Sequence, residues 1–203
     1  MTDNTIFYYF APQSPWSFLG HQRVIQIAER HRVPMKVRPI DLGKVFAASG
    51  GLPLAQRPQQ RQAYRLLELK RCSEFLGIPL NPQPRFFPAP GDQAARVIIA
   101  SLNEGVGVTL RLTFAIMRAL WQEDRDIAEP DTLRDIVAGQ GLAADTLLHD
   151  ADSSVIVDAY ERYTREAIAR GVFGVPTYVL RDELFWGQDR LDFLDLALAR
   201  ATT

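Results

Sequence analysis

The hydrophobic positions of this chain change their period along its length. Residues 5–10 hold an unbroken apolar run, Ile6-Phe7-Tyr8-Tyr9-Phe10, which predicts a buried strand. Residues 14–31 switch to helical spacing, with Ser14 placed to cap the first turn and Pro15 at the first helical position. Residues 35–40 alternate and predict a second strand. A β-α-β unit of this length implies parallel strands joined by a right-handed crossover. Helical periods then follow over 58–76, 92–104, 109–123, 131–139, 143–150 and 153–170, the last closed by Gly171. Between the first two lies a loop, 77–90, punctuated by prolines at 79, 82, 84, 88 and 90. Strand signals return at 177–180 and 184–186 around a turn at 181–183. An amphipathic helix over 189–201 puts Leu191, Leu194 and Leu198 on its inner face.

The order is therefore β-α-β, a helical block, then β-β-α. Removing the block leaves the minimal thioredoxin-like pattern. The fold class predicted is α/β, a thioredoxin-like fold with a large inserted α-helical domain. Residues 1–50 and 171–203 would form the thioredoxin-like domain and 51–170 the insert. No internal repeat or low-complexity tract interrupts this scheme.

Composition narrows the function. With 203 residues, 47% of them hydrophobic, the chain can bury a full core. A net charge of -1 gives no basic face for nucleic acid and no polybasic membrane anchor. The first five residues lack the basic and apolar regions of a secretion signal, and no apolar run is long enough to span a bilayer. A cytoplasmic protein without nucleic-acid or membrane partners is expected. Cys72 is the one cysteine, so an intramolecular disulfide and a cysteine-based metal cluster are both impossible, and no metal is expected. Helical spacing puts Leu69, Cys72, Phe75 and Leu76 on one face, where Cys72 reads as a core residue with no base to make it a thiolate.

The candidate chemistry starts at Ser14-Pro15-Trp16-Ser17. A strand, a tight turn and C-P-W-C opening a helix would be a dithiol redox site. Here serine stands at both cysteine positions, which excludes a dithiol oxidoreductase. Ser14 is at least an N-cap, worth roughly 1 kcal/mol. It can also donate to an anion held by the helix dipole and the free first-turn N–H groups. No base is evident to make it a nucleophile. Val175-Pro176, just before the third strand, is an ordinary strand-start proline or, opposite such a helix start, a cis-proline. A cis bond there would free the backbone of Val175 to pair with an extended peptide-like ligand. Trp186-Gly187-Gln188-Asp189 sits at a strand-to-helix junction. It caps the last helix, or it receives a zwitterionic amino-acid end such as the γ-glutamyl group of glutathione. His21, His31 and His149 read as structural or solvent-facing.

Quoted together, "SPWSFLG", "GVFGVPTYVL" and "LFWGQDRL" resemble the 2-hydroxychromene-2-carboxylate isomerases. These are relatives of the kappa-class glutathione transferases within the DsbA-like branch of the thioredoxin superfamily. "PIDLGKVFAASGG", "LAQRPQQRQAYRLLELKR" and "LGIPLN" extend the match over essentially the whole chain. The resemblance implies glutathione as cofactor and a thiol addition–elimination that isomerises a conjugated double bond with ring opening. It implies that Ser14 stabilises the glutathione thiolate as the catalytic residue, and that Val175, with Pro176, anchors the cysteinyl part. Trp186, Gly187, Gln188 and Asp189 would form the γ-glutamyl pocket, with Gln188 where the family often has Asn. On the substrate side it implies Gln56 and Arg57, the arginine pairing a carboxylate, and Phe86 in an aromatic pocket. Phe46 stands where the family has a substrate-contacting lysine, and Lys44 is nearby. The implied partners are glutathione and a small aromatic carboxylate, and the implied assembly is a homodimer. Two alternatives stay open: a kappa-type glutathione transferase and a redox-inactive DsbA-like binding module.

Overall fold

The computed structural model describes residues 4–200. Four strands form one sheet in the order β2-β1-β3-β4. They are β1 (Ile6–Phe10), β2 (Met35–Pro39), β3 (Thr177–Leu180) and β4 (Glu183–Trp186). β1 pairs parallel with β2 and antiparallel with β3, and β3 pairs antiparallel with β4. This is the α/β thioredoxin-like sheet that the sequence predicts, with the helical insertion between β2 and β3.

The alternation of side chains along β1 divides the core into two layers. Ile6, Tyr8 and Phe10 pack with Phe18, Leu19 and Val24 of α1 (Pro15–His31) and with Leu191, Leu194 and Leu198 of the C-terminal helix. Phe7, Tyr9 and Ala11 face the opposite layer, where Val45, Ala95, Ala159 and Tyr163 lie. That layer is built from α2 (Leu42–Ser49), α4 (Asp92–Ala100) and α8 (Ser154–Ala169). The remaining helices are α3 (Gln59–Leu76), α5 (Val106–Trp121), α6 (Pro130–Gly139), α7 (Ala144–Ala151) and α9 (Leu191–Arg200). Ala201, the last residue of the predicted final helix, lies outside the described residues.

Several elements differ from the predicted ones. The helix α2 was not expected: it is only eight residues long, and Val45 is its one fully buried residue, so it leaves little periodic signal. Asp41 caps it by accepting from Lys44 N at 3.1 Å, and Gly50 closes it with φ at 74°. The segment predicted as one helix over 92–104 ends as an α-helix at Ala100 and continues as a 3₁₀ turn, Ser101–Glu104. Ser101 causes the change of pitch locally, its hydroxyl donating to the Ile98 carbonyl at 2.8 Å while its own carbonyl accepts from Thr109 Oγ1 at 2.9 Å. The next helix starts at Val106, three residues earlier than the periodicity suggested.

On α3 the expected four-residue face is corrected. Leu69 is fully buried and Cys72 and Leu76 pack partly against the core, but Phe75 is 89% exposed. At about 100° per residue, Phe75 falls about 120° away from Leu69 and turns to the outside.

Candidate functional site

β1 ends at Phe10, and a tight turn closed by Ser14 N donating to the Ala11 carbonyl at 3.0 Å leads into α1. Ser14 has the extended backbone of an N-cap, and its Oγ accepts from Ser17 N at 3.2 Å. Its own O–H is left to donate. Pro15 has no N–H, Ser17 N is taken by the cap, and Phe18 N bonds the Ser14 carbonyl. The Trp16 N–H is thus the first-turn donor without a partner among the described residues. An anion at this helix start meets an O–H, an N–H and the positive end of a helix of 17 residues. Ser17 Oγ is fully buried beneath it and has no hydrogen-bond partner.

The Val175–Pro176 peptide bond is cis. The antiparallel pairing of β1 and β3 reaches Tyr9 opposite Thr177, and two residues further the same register brings Val175 level with Ala11. Val175 therefore lies beside the turn that carries Ser14. Among the described residues neither its backbone N–H nor its C=O has a hydrogen-bond partner. These edge groups are what an extended ligand would use in pairing with a sheet. A tripeptide with a thiol at its centre fits this pair of features: main-chain groups at Val175 and an anion seat at Ser14.

The third predicted segment is arranged less simply. Trp186 is half-exposed and packs on Phe173, with ring centroids 4.8 Å apart. Gly174 lies against the indole: a Cβ there would come within 2.6 Å of Trp186 Nε1. Gly187 has φ at 97°, and its N–H donates to the Pro176 carbonyl at 2.8 Å, tying this segment to the cis-proline. The Gln188 side chain points inward. Its Oε1 and its backbone carbonyl both accept from Arg23 Nη1, at 2.9 and 2.7 Å, and its Nε2 lies 3.6 Å from Cys72 Sγ. Asp189 is exposed and pairs with Arg190. The carboxylate of Asp189 and the indole of Trp186 are thus the outward-facing side chains of this segment.

Of the residues expected on the substrate side, Gln56 and Arg57 lie just before the start of α3 and Phe86 in the loop that follows it. Gln56 is exposed in a 3₁₀ turn, Leu54–Gln56. Arg57 is partly buried, its Nε donates to the Leu52 carbonyl at 2.8 Å, and its guanidinium lies over Phe46 at 5.7 Å. Burial and the neighbouring Arg61 charge push the Arg57 pKa down. Lys44 is committed to Glu161 and Asp41. Phe86 is partly buried, with Arg85 over its ring at 5.2 Å.

Residues that sequence reasoning missed lie next to these. Arg65 sits 5.0 Å from the Phe87 ring and 6.0 Å from Trp121, and Phe87 and Trp121 pack at 5.0 Å. The signal was present as Arg61 and Arg65, one helical turn apart on α3 and preceded by Arg57. The chain continues from Phe87 through a cis Pro88 to Gly91, where an added Cβ would collide with Gln13 Oε1. This segment joins the arginine-lined region to the residue beside Ser14.

Two histidines are structural, and the third, His149, is exposed. His21 is fully buried, with Nε2 2.9 Å from the Leu110 carbonyl and Nδ1 3.3 Å from Tyr8 Oη, and burial lowers its pKa to about 4. His31 contacts Asp195 at 2.6 Å, joining α1 to α9. Cys72 packs partly against the core, where burial and the charges of Glu68 and Asp189 push its pKa up.

A helix start with serine at both cysteine positions, beside a cis-proline on this sheet, defines a thioredoxin-fold protein without the dithiol pair at that place. The family model of the DSBA-like thioredoxin domain matches residues 5–199. The chain is 30% identical to the 2-hydroxychromene-2-carboxylate isomerase of Pseudomonas putida, over 95% of this chain and 93% of that one. It is 24% identical to glutathione S-transferase kappa 1 of Rattus norvegicus, over 89% and 84% respectively. A solved structure of 2-hydroxychromene-2-carboxylate isomerase superposes with a TM-score of 0.76 at 27% identity, covering 98% of this chain and 96% of that one. The chain belongs to the DsbA-like thioredoxin family, in the branch of the 2-hydroxychromene-2-carboxylate isomerases. No helix among the described residues is long and apolar enough to cross a membrane.

Proposed function

We propose that this protein is a glutathione-dependent cis–trans isomerase of 2-hydroxychromene-2-carboxylate-type aromatic acids. The observation that carries the reading is the unpaired backbone of Val175, beside cis Pro176 and level with a capped helix start that has serine where a thiol would stand. Bound glutathione would supply the missing thiol, a nucleophile able to add reversibly to a conjugated double bond.

This chain's residues divide the remaining work. Ser14 O–H and Trp16 N–H hold negative charge at the start of α1 and lower the pKa of a thiol placed there. The Val175 backbone pairs the central residue of the tripeptide. Gly187 and the backbone of Gln188 shape the γ-glutamyl end, Asp189 pairs its ammonium, and Trp186 covers it. Arg57 pairs the carboxylate of the aromatic acid, with Gln56 beside it and Phe86 against the ring. The protein acts on free small molecules in the cytoplasm, as a homodimer.

The test is turnover of 2-hydroxychromene-2-carboxylate with and without glutathione. Isomerisation that requires glutathione is expected; isomerisation unaffected by its removal would contradict the reading. The kappa relative, 24% identical, favours one other reading, a glutathione transferase. Conjugation of a chloro-nitro-aromatic without isomerisation would select it.

A further inference from the structure

Arg57 accounts for one carboxylate, yet the region around it carries more positive charge than one carboxylate needs. Arg61 and Arg65 follow at helical spacing on α3, and among the described residues none of the three arginines has an acidic partner. Arg65 is the unusual one. It is only partly exposed, its Nη2 is shielded from solvent, and that atom has no hydrogen-bond partner. Its guanidinium rests against Phe87 and Trp121, whose ring faces favour a cation but accept no hydrogen bond in its plane. Burial, with the nearby Arg57 charge, lowers its pKa to about 10, which still leaves it charged at neutral pH. A buried guanidinium edge without an acceptor is costly, and the cost is removed when a ligand oxygen fills it.

A structural role alone does not explain this arrangement. An arginine kept only to cover Phe87 and Trp121 would gain from an acid beside it, of the kind that Arg71 has in Glu68 on the exposed side of the same helix. Arg65 is instead left beside a second unpaired arginine. Trp121 is fully buried beneath, but the partly exposed Phe87 ring offers a flat ligand one face, and a turn of the guanidinium about its stem presents Nη2 to that ligand.

We propose that Arg65 is a second anion-holding residue of the substrate site, which with Arg57 selects aromatic acids carrying two anionic oxygen groups over those carrying one. This rests on the reading of the Arg57 region as the substrate site. Each charge-assisted pair is worth enough to give about tenfold in affinity or more.

The test uses two unreactive probes on one frame, homophthalate with two carboxylates and phenylacetate with one. Both are titrated calorimetrically into the full chain without glutathione, at fixed ionic strength. Wild type is expected to bind homophthalate about tenfold more tightly than phenylacetate. Arg65→Met keeps the stem over the rings and removes the charge; it should abolish that preference while leaving phenylacetate affinity nearly unchanged. Arg65→Lys keeps the charge without the fork and should retain part of the preference, which also serves if Arg65→Met does not fold. An equal preference in wild type and in Arg65→Met, or no preference in wild type, overturns the proposal. A separate glutathione titration keeps the two claims apart. Failure to bind glutathione sinks the isomerase reading and leaves the anion result standing; glutathione binding without an Arg65-dependent preference sinks this inference alone.

Discussion

Ser14 caps α1, and the proposed function gives it a second role at a bound thiol; separate experiments resolve the two. As the cap of α1 it accepts from Ser17 N at 3.2 Å, so Ser14→Ala should destabilise the fold by about 1 kcal/mol in chemical denaturation. As an anion donor its loss should raise the pKa of a bound thiol, a change that the cap role alone would not cause. His21 gives the fold a pH dependence of its own. Its folded pKa is lowered to about 4, below the ordinary 6.5, because burial disfavours the charged ring. The unfolded chain therefore binds more protons between those values, and stability is present above about pH 6.5 and lost as pH falls toward 4. The full loss is about 3 kcal/mol. Denaturation at pH 7 and pH 4.5 should show a difference that His21→Asn largely removes; an unchanged pH slope in that variant would contradict the assignment. Gly174 is a third point. A methyl group at 2.6 Å from Trp186 Nε1 cannot be accommodated with the indole in place, so Gly174→Ala should change the fluorescence of Trp186 and weaken glutathione binding.

At the scale of elements, the first turn of α1 still has the geometry of the dithiol site it lacks. Ser14 and Ser17 are three residues apart, one at the cap and one fully buried below it. Ser14→Cys with Ser17→Cys should therefore form a disulfide with glutathione disulfide as oxidant. Titration would then count one remaining thiol, that of Cys72, where the reduced double variant shows three. Three reactive thiols after oxidation would contradict this. Elements with a strong local signal were legible in the sequence: β1 from its apolar run, α1 from Ser14-Pro15, α8 from Gly171. α2 was not, because eight residues with one buried side chain carry almost no period. The outward turn of Phe75 was missed because an apolar residue was assumed to follow the buried stripe of Leu69, and the inward turn of Gln188 was missed because it depends on Arg23, far away in sequence.

At the scale of the whole molecule, the sheet brings three distant stretches to one end. The β1–β3 register sets Val175 beside the turn at Ala11, and Gly187 N–H on the Pro176 carbonyl brings Trp186 to Asp189 to the same place. Each stretch was legible in the sequence as a separate motif. Arg65 with Phe87 and Trp121 was not, since it joins α3, a loop and the end of α5 and exists only in the folded chain. The central claim is that this end of the molecule holds glutathione with its thiol ionised at Ser14. The most direct measurement is a calorimetric titration of wild type and Ser14→Ala with glutathione near neutral pH, with thiolate absorbance followed in parallel. The account predicts binding by wild type with a thiolate signal, and in Ser14→Ala binding with that signal reduced or lost. No binding by wild type at millimolar glutathione, or an undiminished thiolate signal in Ser14→Ala, would contradict it.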